Sequence, residues 1–176
     1  MIIKPTHLEG LVVVEPEKFH DVRGFFTRTW SQLEFEEHGL QMDVVEVNVS
    51  FNEKKGVLRG MHYQEAPFAQ RKLVRCTRGS IFDVAIDLRQ QSPTFKQWFG
   101  LELSSTNHVA LFIPDGFAHG FQTLEDDTEV CYHMSAVYAP EYARGVRWND
   151  PAFGIEWPSA ERTIIPRDLS YPDFLL

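Results

Sequence analysis

Hydrophobic and polar positions alternate along most of this chain with a period of two, the signature of half-buried strands. From Val44 onward the alternation is regular: Val45, Val47, Val49 and Phe51 share one face, and Glu46, Asn48 and Ser50 share the other. Ordinary antiparallel amphipathicity predicts that the polar face meets water. A barrel with a ligand in its mouth would instead turn that face inward. Leu11-Val12-Val13-Val14 predicts an earlier strand, ended by Glu15-Pro16, and Asp21-Val22-Arg23-Gly24 predicts a turn before Phe25-Phe26. Ser31-Gln32-Leu33-Glu34 has the spacing of a capping box, and Gly39 is a stop signal, so one short helix is expected over 32–38. Strand patterns then recur over 72–76, 81–88, 98–103, 109–113, 121–124 and 129–138, separated by short turns such as Thr77-Arg78-Gly79 and Gln91-Ser92-Pro93. Many short strands at close spacing predict an all-β sandwich or barrel. After Pro140 the pattern fades into a proline-rich tail, expected to wrap the barrel and to carry at most a short helix.

Two segments stand out against this background. Gly56-Val57-Leu58-Arg59-Gly60-Met61-His62-Tyr63-Gln64 and Ile113-Pro114-Asp115-Gly116-Phe117-Ala118-His119-Gly120-Phe121 each hold a histidine in a strand-like run beside glycine. Glycine there lets a ligand approach the backbone closely. Strict alternation would send Arg59, Met61 and Tyr63 to one face and Gly60, His62 and Gln64 to the other. The pair is read as the floor of a small-molecule pocket.

Composition narrows the function. The 176 residues fit one domain, 43% hydrophobic content fills a core, and 14 phenylalanines make that core aromatic. A net charge of −8, without a run of Lys or Arg, argues against nucleic acid as a partner. No apolar stretch approaches membrane-spanning length and no leader-like run opens the chain, so no membrane partner and a cytoplasmic location are expected. Cys76 and Cys131 lie in no metal or redox spacing and are expected to be buried free thiols.

Five of the seven histidines (His7, His20, His38, His108 and His133) sit on no special pattern and read as surface or structural. His62 and His119 remain. A histidine acting as base on a carbonyl compound needs a carboxylate to fix its tautomer, a cation to hold the enolate and an acid to return the proton. Lys72 shares its strand face with Val74 and Cys76, an odd position for an ammonium unless an anion meets it. Tyr132 and Tyr138 share parity on one expected strand, Asp83 and Asp87 share parity with Ile81 and Ala85, and Asp168 lies in the tail. Arg23 and Arg59, each next to glycine, could grip phosphate. The residues alone leave the reading at a barrel with a polar pocket.

The order of motifs goes further. Phe19-His20-Asp21-x-Arg23-Gly24-x-Phe26, Gly56 to Gln64, Lys72-Leu73-Val74-Arg75-Cys76, Phe82-Asp83 to Arg89, Ile113 to Phe121, Tyr138-x-Pro140-Glu141 and Arg147-Trp148-Asn149-Asp150-Pro151 together resemble the dTDP-4-dehydrorhamnose 3,5-epimerases over nearly the whole chain. The resemblance implies one cupin-like jelly-roll domain over 1–176 with short peripheral helices, and a homodimer that exchanges about the first 40 residues. It implies a reaction without cofactor or metal on a nucleoside-diphosphate sugar. A 4-keto-6-deoxyhexose loses its proton at C3 or C5, α to the C4 ketone, and regains it on the opposite face. His62 matches the base, Asp168 its carboxylate, Lys72 the enolate-stabilising cation and Tyr132 the acid. Arg23, Phe26, Asn48, Arg59, His119 and Tyr138 match substrate-binding positions. Arg28, Glu46 and Asn52 depart from the usual glutamate, glutamine and serine, and the loop before Gly56 is one residue longer. These departures lie on the nucleotide side and leave open a CDP- or GDP-linked sugar, while the catalytic set, which is complete, is compatible with inversion of both centres or of one. Two other readings stand beside the epimerase. Pro114-x-Gly116-x-x-His119 matches half of a cupin metal site, although His62 has Gly60 and Gln64 where a second ligand would be wanted. A barrel that binds a sugar nucleotide without turning it over would carry the same binding residues.

Overall fold

The computed structural model describes residues 1–175. In chain order the strands are β1 (Ile2–Pro5), β2 (Val12–Glu15), β3 (Phe19–Asp21), β4 (Gly24–Phe26), β5 (Glu46–Asn52), β6 (Leu58–Gln64), β7 (Lys72–Arg78), β8 (Ser80–Asp87), β9 (Trp98–Ser104), β10 (Ala110–Ile113), β11 (Phe117–Thr123), β12 (Thr128–Met134) and β13 (Ala143–Gly145). Two short helices, α1 (Gln32–Glu37) and α2 (Pro166–Leu169), lie outside them. One sheet runs β1-β2-β10-β7-β12-β5, the second β13-β6-β11-β8-β9, and β3-β4 forms a separate hairpin. All of these pairings are antiparallel. The two large sheets face one another as a cupin-like jelly roll, as expected.

The space between the sheets is filled by Leu11, Val74, Cys76, Ile81, Ala85, Leu111, Phe121 and Val130, among others. Each sheet is also covered over part of its outer face. On the six-stranded sheet, Phe35 of α1 and Met42 pack over Val12, Val14, Leu73, Ala110 and Phe112. On the five-stranded sheet, Met61, Val84, Ile86 and Ala118 lie under Val146, Phe153 and the tail residues Trp157 and Phe174. Burial on both faces explains why several strands read as continuous apolar runs.

Several expectations change. Ser31 makes no side-chain cap to α1. Its supposed partner Glu34 is drawn away by stronger, charge-assisted contacts with the Met1 ammonium at 2.8 Å and with Arg28. Strand β11 starts at Phe117 rather than Phe121, which places His119 inside it. Strand β12 stops at Met134, so Tyr138 leaves the strand that carries Tyr132 and shares no face with it. Cys76 is buried but Cys131, on the outer face of β12, is only half-buried.

The largest reversal concerns β5. Val45, just before it, and its own apolar residues Val47, Val49 and Phe51 are 53%, 56%, 58% and 47% exposed, while its polar residues turn towards the barrel. The expectation of a solvated polar stripe is overturned. Ser50 and Asn52 meet partners inside, Tyr132 and Arg59, that give the polar atoms the hydrogen bonds burial demands.

Candidate active site

One polar cavity opens between the sheets, in three lobes that meet at His62 and Arg167. The deep lobe, about 300 Å³, is lined by Asn48, Ser50, Arg59, Lys72, His119 and Tyr132, among others. A second, about 380 Å³, runs past Asn52, Lys54, Arg59, Thr163 and Ile165. The third, about 170 Å³, lies against Gln70, Tyr138, Arg144 and Tyr171. The chain is acidic as a whole, yet Arg59, Lys72, Arg144 and Arg167 make this cavity cationic.

Strand β6 puts His62 there through a bulge. His62 pairs with His119 and Arg59 with Phe121, so Gly60 and Met61 together stand opposite Gly120 alone. The extra residue breaks the period of two. Arg59 and His62, expected on opposite faces, therefore both reach the cavity, while Met61 is buried in the outer cluster. Glycine is required at the bulge: Gly60 has φ +126°, and a Cβ there would lie 2.6 Å from the Gly120 Cα.

His62 and Asp168 form a dyad. Nε2 of His62 lies 2.8 Å from Oδ1 of Asp168, which is fully buried on α2. The other carboxylate oxygen accepts the Gly60 N–H at 3.1 Å. Burial alone would raise the Asp168 pKa, but hydrogen bonds from His62 and Gly60 outweigh it and hold the group ionised. An ionised Asp168 at Nε2 fixes the tautomer with hydrogen on that nitrogen, leaving the Nδ1 lone pair as the basic atom. Burial lowers the His62 pKa, Asp168 pulls it back up, and Lys72 and Arg167 lower it further. The net shift is downward, so the imidazole is neutral and basic at pH 7.

Lys72 begins β7, is 7% exposed, and among the described residues its Nζ makes one long contact, to the His62 carbonyl at 3.4 Å. Burial lowers its pKa to about 8, and the nearby Asp83 charge resists that. It is thus an ammonium at neutral pH with hydrogens to spare. Tyr132, on β12 in the opposite sheet from His62, shares a hydrogen bond of 2.9 Å with Ser50 Oγ. Burial pushes its phenol far above the ordinary range, so it holds its proton. His119 is 4% exposed and its Nε2 lies 2.7 Å from the buried Asp83 Oδ1. Among the described residues, the second Asp83 oxygen has no hydrogen-bond partner.

The structure thus brings His62, Asp168, Lys72, Tyr132, Asn48, Arg59 and His119 together, with Tyr138 at the rim and 57% exposed. It does not bring Arg23 or Phe26 there. Both sit on the exposed β3-β4 hairpin, where Arg23 pairs with Asp21 at 2.6 Å. Three neighbours were not assigned as site residues from the sequence, although Asp83 was noted there as a candidate carboxylate. Arg167 Nη2 lies 3.2 Å from His62 Nε2 and its Nε 3.2 Å from Asp168. Tyr171 stacks edge-on to His62, with ring centroids 6.2 Å apart. Asp83 pairs with His119, and a carboxylate among Ile81, Val84 and Ala85 was the available signal. Among the described residues, no three His, Cys, Asp or Glu side chains gather so as to hold a metal ion. No described helix is long and apolar enough to cross a membrane.

A family model described as dTDP-4-dehydrorhamnose 3,5-epimerase matches residues 5–175. A protein of that name from Sinorhizobium fredii is 44% identical over 173 residues, covering 98% of this chain and 89% of the relative. The crystal structure of the Bacillus anthracis dTDP-4-dehydrorhamnose 3,5-epimerase, with TDP and pyrophosphate bound, superposes with a TM-score of 0.95 at 40% identity, covering 98% of this chain and 99% of that one. That of the Legionella pneumophila dTDP-6-deoxy-D-glucose-3,5-epimerase, in complex with dTDP-4-keto-L-rhamnose, gives 0.91 at 38% identity, covering 97% and 90%.

Proposed function

The chain belongs to the dTDP-4-dehydrorhamnose 3,5-epimerase family, and from that premise we propose how its own residues divide the work of epimerisation. The enzyme is an isomerase of a nucleotide-linked 4-keto-6-deoxyhexose. His62 Nδ1 takes the proton from the carbon α to the C4 ketone. The electron pair moves into the enolate, whose oxygen is held by the Lys72 ammonium. Tyr132 gives its phenolic proton to the same carbon from the other face, which inverts the centre. Protonated His62 and the Tyr132 phenolate then return to their starting states by exchange with water. Repetition at the second α carbon gives the double epimer.

The observation that carries this reading is the placement of a neutral imidazole and a protonated phenol on facing sheets of one cavity, with a buried ammonium lining the same lobe. Asp168 orients the base. Arg59 and Asn48 bind the diphosphate and sugar, His119 lines the sugar lobe, and Tyr138 offers a face to the nucleobase at the rim. Thymidine is the base we assign, since relatives named as dTDP-sugar epimerases cover 98% of the chain.

A homodimer belongs to the same proposal. The apolar face of β5, and separately the hairpin residues Phe19, Val22 and Phe26 (65%, 105% and 69% exposed), are apolar surfaces of a kind that a monomer rarely leaves open. Exchange of about the first 40 residues would cover them and deliver Arg23 and Phe26 to the mouth of the partner's cavity. Unpaired Cys76 and Cys131 are in keeping with a cytoplasmic setting.

Incubation with dTDP-, CDP- and GDP-4-keto-6-deoxyglucose in D2O, followed by NMR, tests the function. Deuterium at both C3 and C5 of the dTDP sugar is expected. Wash-in from none of the three would end the proposal, and faster wash-in from a CDP or GDP sugar would reassign the base.

A further inference from the structure

We propose that Asn52 is the positioning residue that aims Arg59 at the diphosphate, an inference that rests on Arg59 being a diphosphate ligand. Asn52 is the last residue of β5, on the same inward face as Asn48 and Ser50, and is 2% exposed. A buried amide needs its polar atoms satisfied, and the way they are satisfied fixes its orientation. Its Nδ2 donates to the carbonyl of Thr128, the cross-strand neighbour, at 3.2 Å, with a weaker contact to the Ser50 carbonyl at 3.4 Å. Both acceptors are backbone oxygens, so the amide cannot flip without setting oxygen against oxygen. The side-chain oxygen is left facing Arg59, whose Nε donates to it at 2.7 Å.

The consequence lies in which edge of the guanidinium remains free. Arg59 also directs Nη2 at the Phe51 carbonyl, 3.4 Å away. Nε and the adjacent Nη2 hydrogen form the side edge of the fork, and that edge is taken up by Asn52 and Phe51. The terminal edge, Nη1 with the outer Nη2 hydrogen, is the one left for two parallel bonds to a phosphate. Arg59 lines both the deep lobe and the lobe beside Lys54 and Ile165, so an untethered guanidinium could swing between them. Asn52 removes that freedom in advance and lowers the ordering cost that binding would otherwise meet. Its influence falls on ground state and transition state alike, because the diphosphate does not react.

The test uses the full chain and dTDP as probe, with affinity measured by calorimetry in a two-by-two set of Asn52→Ala and Arg59→Lys. Lysine has no Nε hydrogen in that position for Asn52 to hold. Asn52→Ala is expected to weaken dTDP binding about tenfold beside Arg59 and less than about twofold beside lysine. With sugar substrate, KM rises by a similar factor while kcat stays within about threefold. Asn52→Leu, of nearly the same volume, serves the same comparison if the alanine variant does not fold. Unchanged affinity on loss of the amide, or an equal loss in both backgrounds, would overturn the role given to Asn52. If Arg59→Lys alone leaves dTDP affinity intact, the diphosphate role of Arg59 fails and takes Asn52 with it. Weaker binding by Arg59→Lys with no effect of Asn52→Ala removes Asn52 only.

Discussion

Replacing Asp168 by asparagine tests the dyad in two independent signs. The carboxylate is fully buried and accepts from His62 Nε2 at 2.8 Å, Gly60 N at 3.1 Å and Arg167 Nε at 3.2 Å. Asparagine keeps the shape but loses the charge, and with it the charge-assisted bond to the imidazolium that forms as His62 takes the proton. Such a bond contributes about 2–3 kcal/mol, which lowers the rate roughly 30- to 150-fold. If the amide nitrogen turns towards His62, Nε2 must accept instead of donate, Nδ1 gains the hydrogen and the base is lost, so the deficit grows towards about 10⁴-fold. The second sign concerns pH. Asp168 raises the His62 pKa against burial, so its neutralisation lowers that pKa further. Activity requires neutral His62 and falls as pH drops through its pKa, so the acid limb of the profile moves to lower pH even as the plateau falls. Deuterium wash-in at C3 and C5, followed across pH 4–8 with dTDP affinity as the control, reads both quantities. Wash-in within about threefold of the parent, or an acid limb displaced upward, would refute the dyad.

Three further outcomes are expected. In the parent enzyme kcat/KM declines above about pH 8 as the buried Lys72 ammonium loses its proton, and a Lys72→Met variant retains no alkaline limb in whatever rate survives; a flat profile to pH 10 would contradict the charge assigned to Lys72. Tyr132→Phe keeps proton abstraction by His62, so exchange at the α carbons persists while inverted product falls about 10²-fold or more; equal loss of both would remove Tyr132 as the separate acid. Gly60→Ala, at φ +126° and with its Cβ 2.6 Å from Gly120 Cα, destabilises by about 3 kcal/mol or more in denaturant unfolding, and an unchanged midpoint would show that the bulge does not need glycine.

Much of the architecture was legible in the chain itself. Period-two runs gave the all-β class and most of the long strands, though not the short β1 and β13, and parity alone placed Lys72 with the inward residues Val74 and Cys76, where it is found. The two histidines beside glycine marked the cavity, because few other roles call for small residues next to an imidazole inside a strand. The pairing partner of His62 was not legible from spacing: Asp168 is 106 residues away and reaches it through a tail without periodicity. Only the resemblance of motifs joined the two beforehand.

What the sequence determined by itself is which residues alternate and which residue types are available for chemistry. Alternation divides a strand into two faces but does not say which face is inside, and tertiary structure decided that for β5, turning Asn48, Ser50 and Asn52 inward and Val47 and Val49 outward. The bulge that brings Arg59 and His62 to one side was equally hidden, since an extra residue is defined only against the partner strand. The early end of β12, which separates Tyr138 from Tyr132, likewise depends on where its neighbours stop. Period and residue type are properties of one segment; facing, register and long-range contact are properties of two, and they exist only once the chain has folded.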